Sequence, residues 1–152
     1  MKEKHRGYSI IECTASFAVI IILVSITVKF VRNYNDIISD VKLKSVAYEI
    51  DDVINYSKWY CYNNNQFGKI EIFNLHDDMK IVFMSDDGNK RIINLPSGIT
   101  FYNMTEDYKV ILISPKGIVK GITIELQSNS NNFIAAITVN VSANRIKIRK
   151  EG

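Results

Sequence analysis

Between Ile10 and Val31 the chain runs twenty-two residues with only two charged side chains, Glu12 and Lys29, and the sixteen residues from Cys13 to Val28 carry none. Wound as an α-helix at 1.5 Å per residue, this run is about 30 Å long, the thickness of a bilayer's hydrocarbon core. The seven residues before it, MKEKHRG, hold three Lys or Arg side chains against one Glu. Basic residues on the near side predict a single-pass protein of the cell membrane, its short amino end cytoplasmic and its carboxyl-terminal part outside.

Two ordinary explanations of such a run compete. A cleaved secretory signal has a shorter apolar region followed by small residues, whereas KFVRNYND follows Val28 here without an Ala-x-Ala. A plain signal anchor, carrying a binding domain that never polymerises, leaves Glu12 without a reason. A carboxylate at that depth costs about 1–3 kcal/mol of insertion free energy, less near the interface.

The string Gly7-Tyr8-Ser9-Ile10-Ile11-Glu12, behind a basic leader and ahead of an uninterrupted apolar helix, resembles the class III signal of type IV pilins and pseudopilins. The resemblance implies that a prepilin peptidase cuts between Gly7 and Tyr8 and that the new amino terminus, Tyr8, is methylated. It implies that Glu12, fifth residue of the processed chain, neutralises the terminal amine of a neighbouring subunit during assembly. In hydrocarbon a paired carboxylate and amine is far cheaper than either alone. The implied partners are the prepilin peptidase, other pilin or pseudopilin subunits, an assembly ATPase, a platform protein and membrane lipid. After assembly the subunit lies at the cell surface. Tyr8 replaces the commoner Phe, Lys29 stands where many major pilins carry a kinking Pro, and Cys13 and Thr14 replace aliphatic residues. These departures lean toward a minor subunit. Losing residues 1–7 removes Lys2, Lys4, Arg6 and Glu3, so the formal charge of +3 falls by two to about +1. The basicity is a topology signal rather than a binding surface.

No Pro or Gly occurs between Tyr8 and Gly68, so one helix is expected from about Ser9 to about Tyr60, with a hinge near residues 33–35 as the alternative. Val31, Tyr34, Ile38, Val41, Ser45 and Tyr48 recur at three- and four-residue steps, the stripe expected to pack on a sheet. The organisation is then a leader over 1–7, a membrane or filament-core helix over 8–31, its exposed continuation over 32–62, and a small extracytoplasmic β domain over 69–150. Trp59, Tyr60 and Tyr62 are expected to close the helix, either as the lid of a small core or as a patch for a partner.

From Lys69 the period becomes two. Segments such as KIEIFN, KIVFMS, KRIINL, YKVILIS and RIKIRK, parted by turn signals such as Asp86-Asp87-Gly88-Asn89, predict six or seven short antiparallel strands. The fold class is α+β, and with the resemblance it is pilin-like. The tail is similar to small pseudopilins of the type II secretion H and competence kinds, on Gly121-Ile122-Thr123-Ile124 and the strand ending at Arg149. The 25 Ile, 14 Lys and 15 Asn point to a low-G+C Gram-positive source. On this reading the chain is a subunit of a competence, DNA-uptake pseudopilus, with a type II secretion pseudopilus as the close alternative.

Seven Gly and two Pro among 152 residues exclude collagen-like and Pro-rich chains, and two Cys exclude a disulfide-dense scaffold. On one helix Cys13 and Cys61 lie about 70 Å apart, beyond bridging. His5 and His76 are far apart, Asp77-Asp78 and Asp86-Asp87 lack Ca²⁺-loop spacing, and no nucleophile elbow or phosphate loop occurs. No catalytic residue, metal or cofactor is expected. Arg145, Lys147 and Arg149 share one side of the last strand, where they either touch DNA or a partner, or blunt a sheet edge.

Overall fold

The computed structural model describes residues 10–75, 78–129, 133–140 and 144–150, the side chains of Arg32 and Lys150 apart. The chain divides into two units, Met1–Ile37 and Ile38–Gly152. One helix, α1 (Ile10–Asn63), enters both. The hinge alternative is not what forms: helical backbone continues through residues 33–35. The chain ends the helix with asparagine where glycine is usual. Asn65 adopts φ 50°, its N–H donates to the Tyr62 carbonyl at 3.3 Å, and the next N–H, of Gln66, donates to the Cys61 carbonyl at 3.1 Å. Asparagine tolerates this left-handed conformation best after glycine, and the two bonds satisfy carbonyls that a helix end otherwise strands.

In the second unit α1 buries Leu43, Val46, Ala47, Ile50, Val53, Ile54, Ser57 and Cys61. This corrects the expected packing stripe. Val41 and Tyr48 are 58% and 62% exposed, and Ser45 is exposed as well. The reason is periodic: two stripes of three- and four-residue steps run along this helix on opposite sides. The buried one is aliphatic and unbranched by charge, whereas the other is interrupted by Asp52. Ser57 fits inside because its hydroxyl donates to the Val53 carbonyl at 2.6 Å.

Among the described residues eight strands follow, where six or seven were expected: β1 (Gly68–Leu75), β2 (Asp78–Ser85), β3 (Lys90–Asn94), β4 (Ile99–Phe101), β5 (Tyr108–Ile113), β6 (Ile122–Ser128), β7 (Phe133–Val139) and β8 (Arg145–Lys150). They form two antiparallel sheets, ordered β3-β2-β1-β5 and β4-β6-β7-β8. The shortest is β4, only three residues long, paired with β6 through Ile99↔Ser128 and Phe101↔Leu126. Register sets the core faces. In the first sheet Ile70 lies opposite Phe83 and Ile111, and Ile72 opposite Ile81. In the second, Ile124 lies opposite Ile137, which lies opposite Ile146. These rows join Leu43, Ala47, Ile50 and Ile54 of α1 in one hydrophobic cluster. A one-residue slip of any of these strands would turn its aliphatic row to water. The fold is therefore α+β, with one long apolar helix ahead of antiparallel sheets.

Candidate functional site

The amino-terminal stretch of α1 is the first place where the fold leaves chemistry unspent. Its most apolar 18-residue window has a mean hydropathy of 2.3, and none of that window is buried within the protein. Ile10, Phe17, Ile21 and Phe30 are exposed, from 64% at Ile21 to 81% at Ile10. A helix this long and apolar is compatible with a membrane anchor by length and composition.

Four hydroxyl residues lie inside the stretch, and each is satisfied by the helix itself. Thr14 donates to the Ile11 carbonyl at 2.9 Å, Ser16 to Glu12 at 2.8 Å, Ser25 to Ile21 at 2.8 Å and Thr27 to Leu23 at 2.8 Å. Each hydroxyl proton is thus taken up locally and needs no water or outside partner, which is what an apolar surrounding demands. That leaves the charges at the two ends, Glu12 in the first turn and Lys29 near the far end. A carboxylate is well placed near a helix amino terminus, where the unpaired N–H groups carry partial positive charge. Lys29 can lay its methylene stem along apolar surface and lift its ammonium toward the interface. Among the described residues of this stretch, Glu12 is the one carboxylate. Gly7 and Tyr8, the residues expected at the scissile bond, lie outside the described residues.

The chain matches no protein-family model, no curated protein and no solved structure.

The basic residues singled out at the carboxyl end come together on β8, the edge strand of the second sheet. Arg145, Lys147 and Arg149 are exposed, alternating with half-buried Ile146 and Ile148. They are not equivalent. The Arg149 guanidinium donates to Glu125 Oε1 at 3.2 Å, so its charge is partly answered within the sheet.

Of the acidic turns, Asp77 and His76 lie outside the described residues. Asp87 accepts hydrogen bonds from the Ser85 and Tyr60 hydroxyls and, at 3.1 Å, from the Asn89 N–H. The Ser85 donor, followed by Tyr60, holds this carboxyl well below the usual carboxylate range. Its oxygens serve the turn. Among the described residues no three His, Cys, Asp or Glu side chains gather as a metal site. Cys13 is exposed, Cys61 is buried, and both are free.

Sequence reasoning missed one polar network. Lys58 Nζ donates to the Asn140 carbonyl at 2.5 Å and to Asn144 Oδ1 at 2.8 Å. The Asn144 amide donates in turn to Asp51 at 2.8 Å and Asn55 at 3.0 Å. Desolvation outweighs the nearby Asp51 and pushes the Lys58 ammonium pKa down. The i, i+4, i+7 spacing of Asp51, Asn55 and Lys58 was the available signal, a polar file along one side of the helix. Its partners, eighty or more residues away, were not.

Proposed function

We propose that the chain is a minor, pilin-like structural subunit of a type IV pilus-like filament, and that it catalyses no reaction of its own. The observation that carries this reading is a register: Gly7, Tyr8 and Glu12 stand at fixed spacing at the start of an apolar helix whose surface the rest of the protein leaves uncovered. Uncovered apolar surface of that length is stable in lipid or against other helices of the same kind. Glu12 then acts as a register device. Its carboxylate reaches its lowest free energy beside the terminal amine of a neighbouring subunit, and that pairing fixes how far one helix slides along the next.

On this reading a prepilin peptidase cuts between Gly7 and Tyr8 and the new terminus at Tyr8 is methylated. Glycine at the cut lets the backbone enter a narrow site in extended form. The processed subunit waits in the cell membrane, amino end toward the cytoplasm, until an assembly ATPase and platform protein add it to the filament with other pilin-like subunits. The filament is of the competence kind of a Gram-positive cell, its alternative being a type II secretion pseudopilus. DNA or partner contact by this subunit falls on Arg145, Lys147 and Arg149 of β8.

Mass spectrometry of the membrane-extracted protein tests the reading. A methylated amino terminus at Tyr8 supports it, and a chain beginning at Met1 points instead to a signal-anchored binding protein. Replacing Glu12 with Ala leaves membrane insertion intact and abolishes incorporation into filaments. Undiminished incorporation would remove the assembly role from Glu12.

A further inference from the structure

The two sheets end in four edge strands, and three of them are defended. β3 carries Lys90 and Arg91, β8 carries Arg145, Lys147 and Arg149, and β4 has only three residues. Charge and shortness are the usual means by which an edge is kept from pairing with a foreign strand. β5 has neither. It is six residues long, contains no Pro, and its solvent face is the apolar row Tyr108, Val110 and Leu112, exposed by 45%, 42% and 71%.

The hydrogen-bond phase of β5 shows what that edge offers. The Asn74 N–H donates to the Asp107 carbonyl at 2.9 Å, and β1 pairs with β5 through Ile72↔Lys109 and Ile70↔Ile111. Antiparallel bonding alternates, so Lys109, Ile111 and Ile113 turn their backbone groups to β1, while Tyr108, Val110 and Leu112 turn theirs to the free side. One stitch closes the far end of this edge, the bridge Ile113↔Val119. Beside the rest lies a cavity of 480 Å³ lined by Lys109, Val110, Leu112, Lys120, Gly121 and Ile122. Across it β6 is open too, since its pairing with β4 stops at Leu126, with one further bond from the Tyr102 N–H to the Glu125 carbonyl at 2.8 Å.

We propose that the free edge of β5 is a docking site for an extended segment of a partner protein, a strand apolar in one row and acidic in the other. Backbone N–H and C=O groups at alternate residues select an extended chain. The row of Tyr108, Val110 and Leu112 takes apolar side chains beside it, as cross-strand neighbours do. Lys109 and Lys120, both lining the cavity, favour carboxylates in the other row. Residues 120–122 of the same chain also line the cavity, and a second copy docking by its own β5 would bring Lys109 rather than a carboxylate to that row. That disfavours a second copy as occupant. The inference stands independently of the filament reading, because it concerns only the second unit.

The test uses the full chain in detergent micelles and the labelled peptide acetyl-Val-Glu-Val-Glu-Val-amide. Saturable binding is expected, with slowed hydrogen exchange at the amides of Tyr108, Val110 and Leu112 and little change at Lys109 and Ile111, which β1 already protects. The Lys-containing analogue acetyl-Val-Lys-Val-Lys-Val-amide binds more weakly. Val110→Pro removes an outward N–H that the sheet does not use, a substitution that edge strands tolerate, and weakens binding at least about tenfold. Where that variant fails to fold, Val110→Lys carries the same test. Unchanged affinity in the folded variant, or no protection at millimolar peptide, overturns the proposal. So does protection that rises with protein concentration without peptide, which would assign the edge to a second copy.

Discussion

The Tyr60 hydroxyl donates to the Asp87 carboxylate at 2.5 Å, tying the last turns of α1 to the β2–β3 hairpin. Asp87 is also bonded by Ser85 and by the Asn89 N–H, and these donors, Ser85 foremost, depress its pKa. A carboxyl whose folded pKa lies below its unfolded value contributes stability above the unfolded value, about pH 4, and loses it as the pH falls further. Urea titrations between pH 6 and pH 2.5 should show the midpoint falling below about pH 4. Asp87→Asn should be less stable at pH 6 and show a smaller acid-side drop. An equal drop in both proteins would mean that other carboxyls carry the acid sensitivity.

The two stripes of α1 predict opposite mutational behaviour from adjacent turns. Ile50 is fully buried, and Ile50→Ala should cost about 2–5 kcal/mol of unfolding free energy. Tyr48→Ser, on the exposed side, should stay within about 0.5 kcal/mol. Denaturant unfolding in a fixed detergent measures both. A larger loss for Tyr48→Ser would place this face against something in the isolated protein.

Two glycines with positive φ separate backbone strain from crowding. Gly88 has φ 88°, and a Cβ there would meet nothing within 4 Å. Gly117 has φ 68°, and its Cβ would lie 2.9 Å from the Lys58 carbonyl oxygen. Gly88→Ala should therefore cost only the left-handed penalty of about 1–2 kcal/mol. Gly117→Ala should cost measurably more. Thermal unfolding of the two variants in parallel gives the comparison, and equal losses would show that the 114–118 turn shifts away from the helix freely.

Cys61 lies in the core, and burial, followed by Asp86 and Asp87, pushes its thiol pKa up. With Cys13 replaced by Ser, the folded protein should resist a thiol reagent at pH 8 and gain one reactive thiol on unfolding. Prompt labelling of the folded variant would show that the Gly68 side of the helix end opens.

Much of this fold is written locally. The absence of Pro and Gly between Tyr8 and Gly68 announces the single helix, and the alternation in KIEIFN or RIKIRK announces strands before any partner is known. The choice between the two helix stripes is not local. Val41, Ser45 and Tyr48 are as periodic as Leu43, Ala47 and Ile50, and the row that is enclosed is the one that joins the aliphatic rows of the strands in the core. At the amino end Glu12 stands out in the sequence because a charge in an apolar run is costly anywhere. The edge position of β5 is invisible there, since YKVILIS reads like any buried strand until sheet order leaves it with one strand partner.

Sheet order also sets a timetable. The chain crosses from the first sheet to the second at β4, returns for β5, and crosses again at β6. A polypeptide made from its amino end completes the first sheet on reaching Ile113. At that moment β4 is still a strand without a neighbour, waiting for β6 to emerge. A chain ending between Ile113 and Ile122 thus has every strand of the first sheet and, in β4, a segment of the second whose only strand partner is missing.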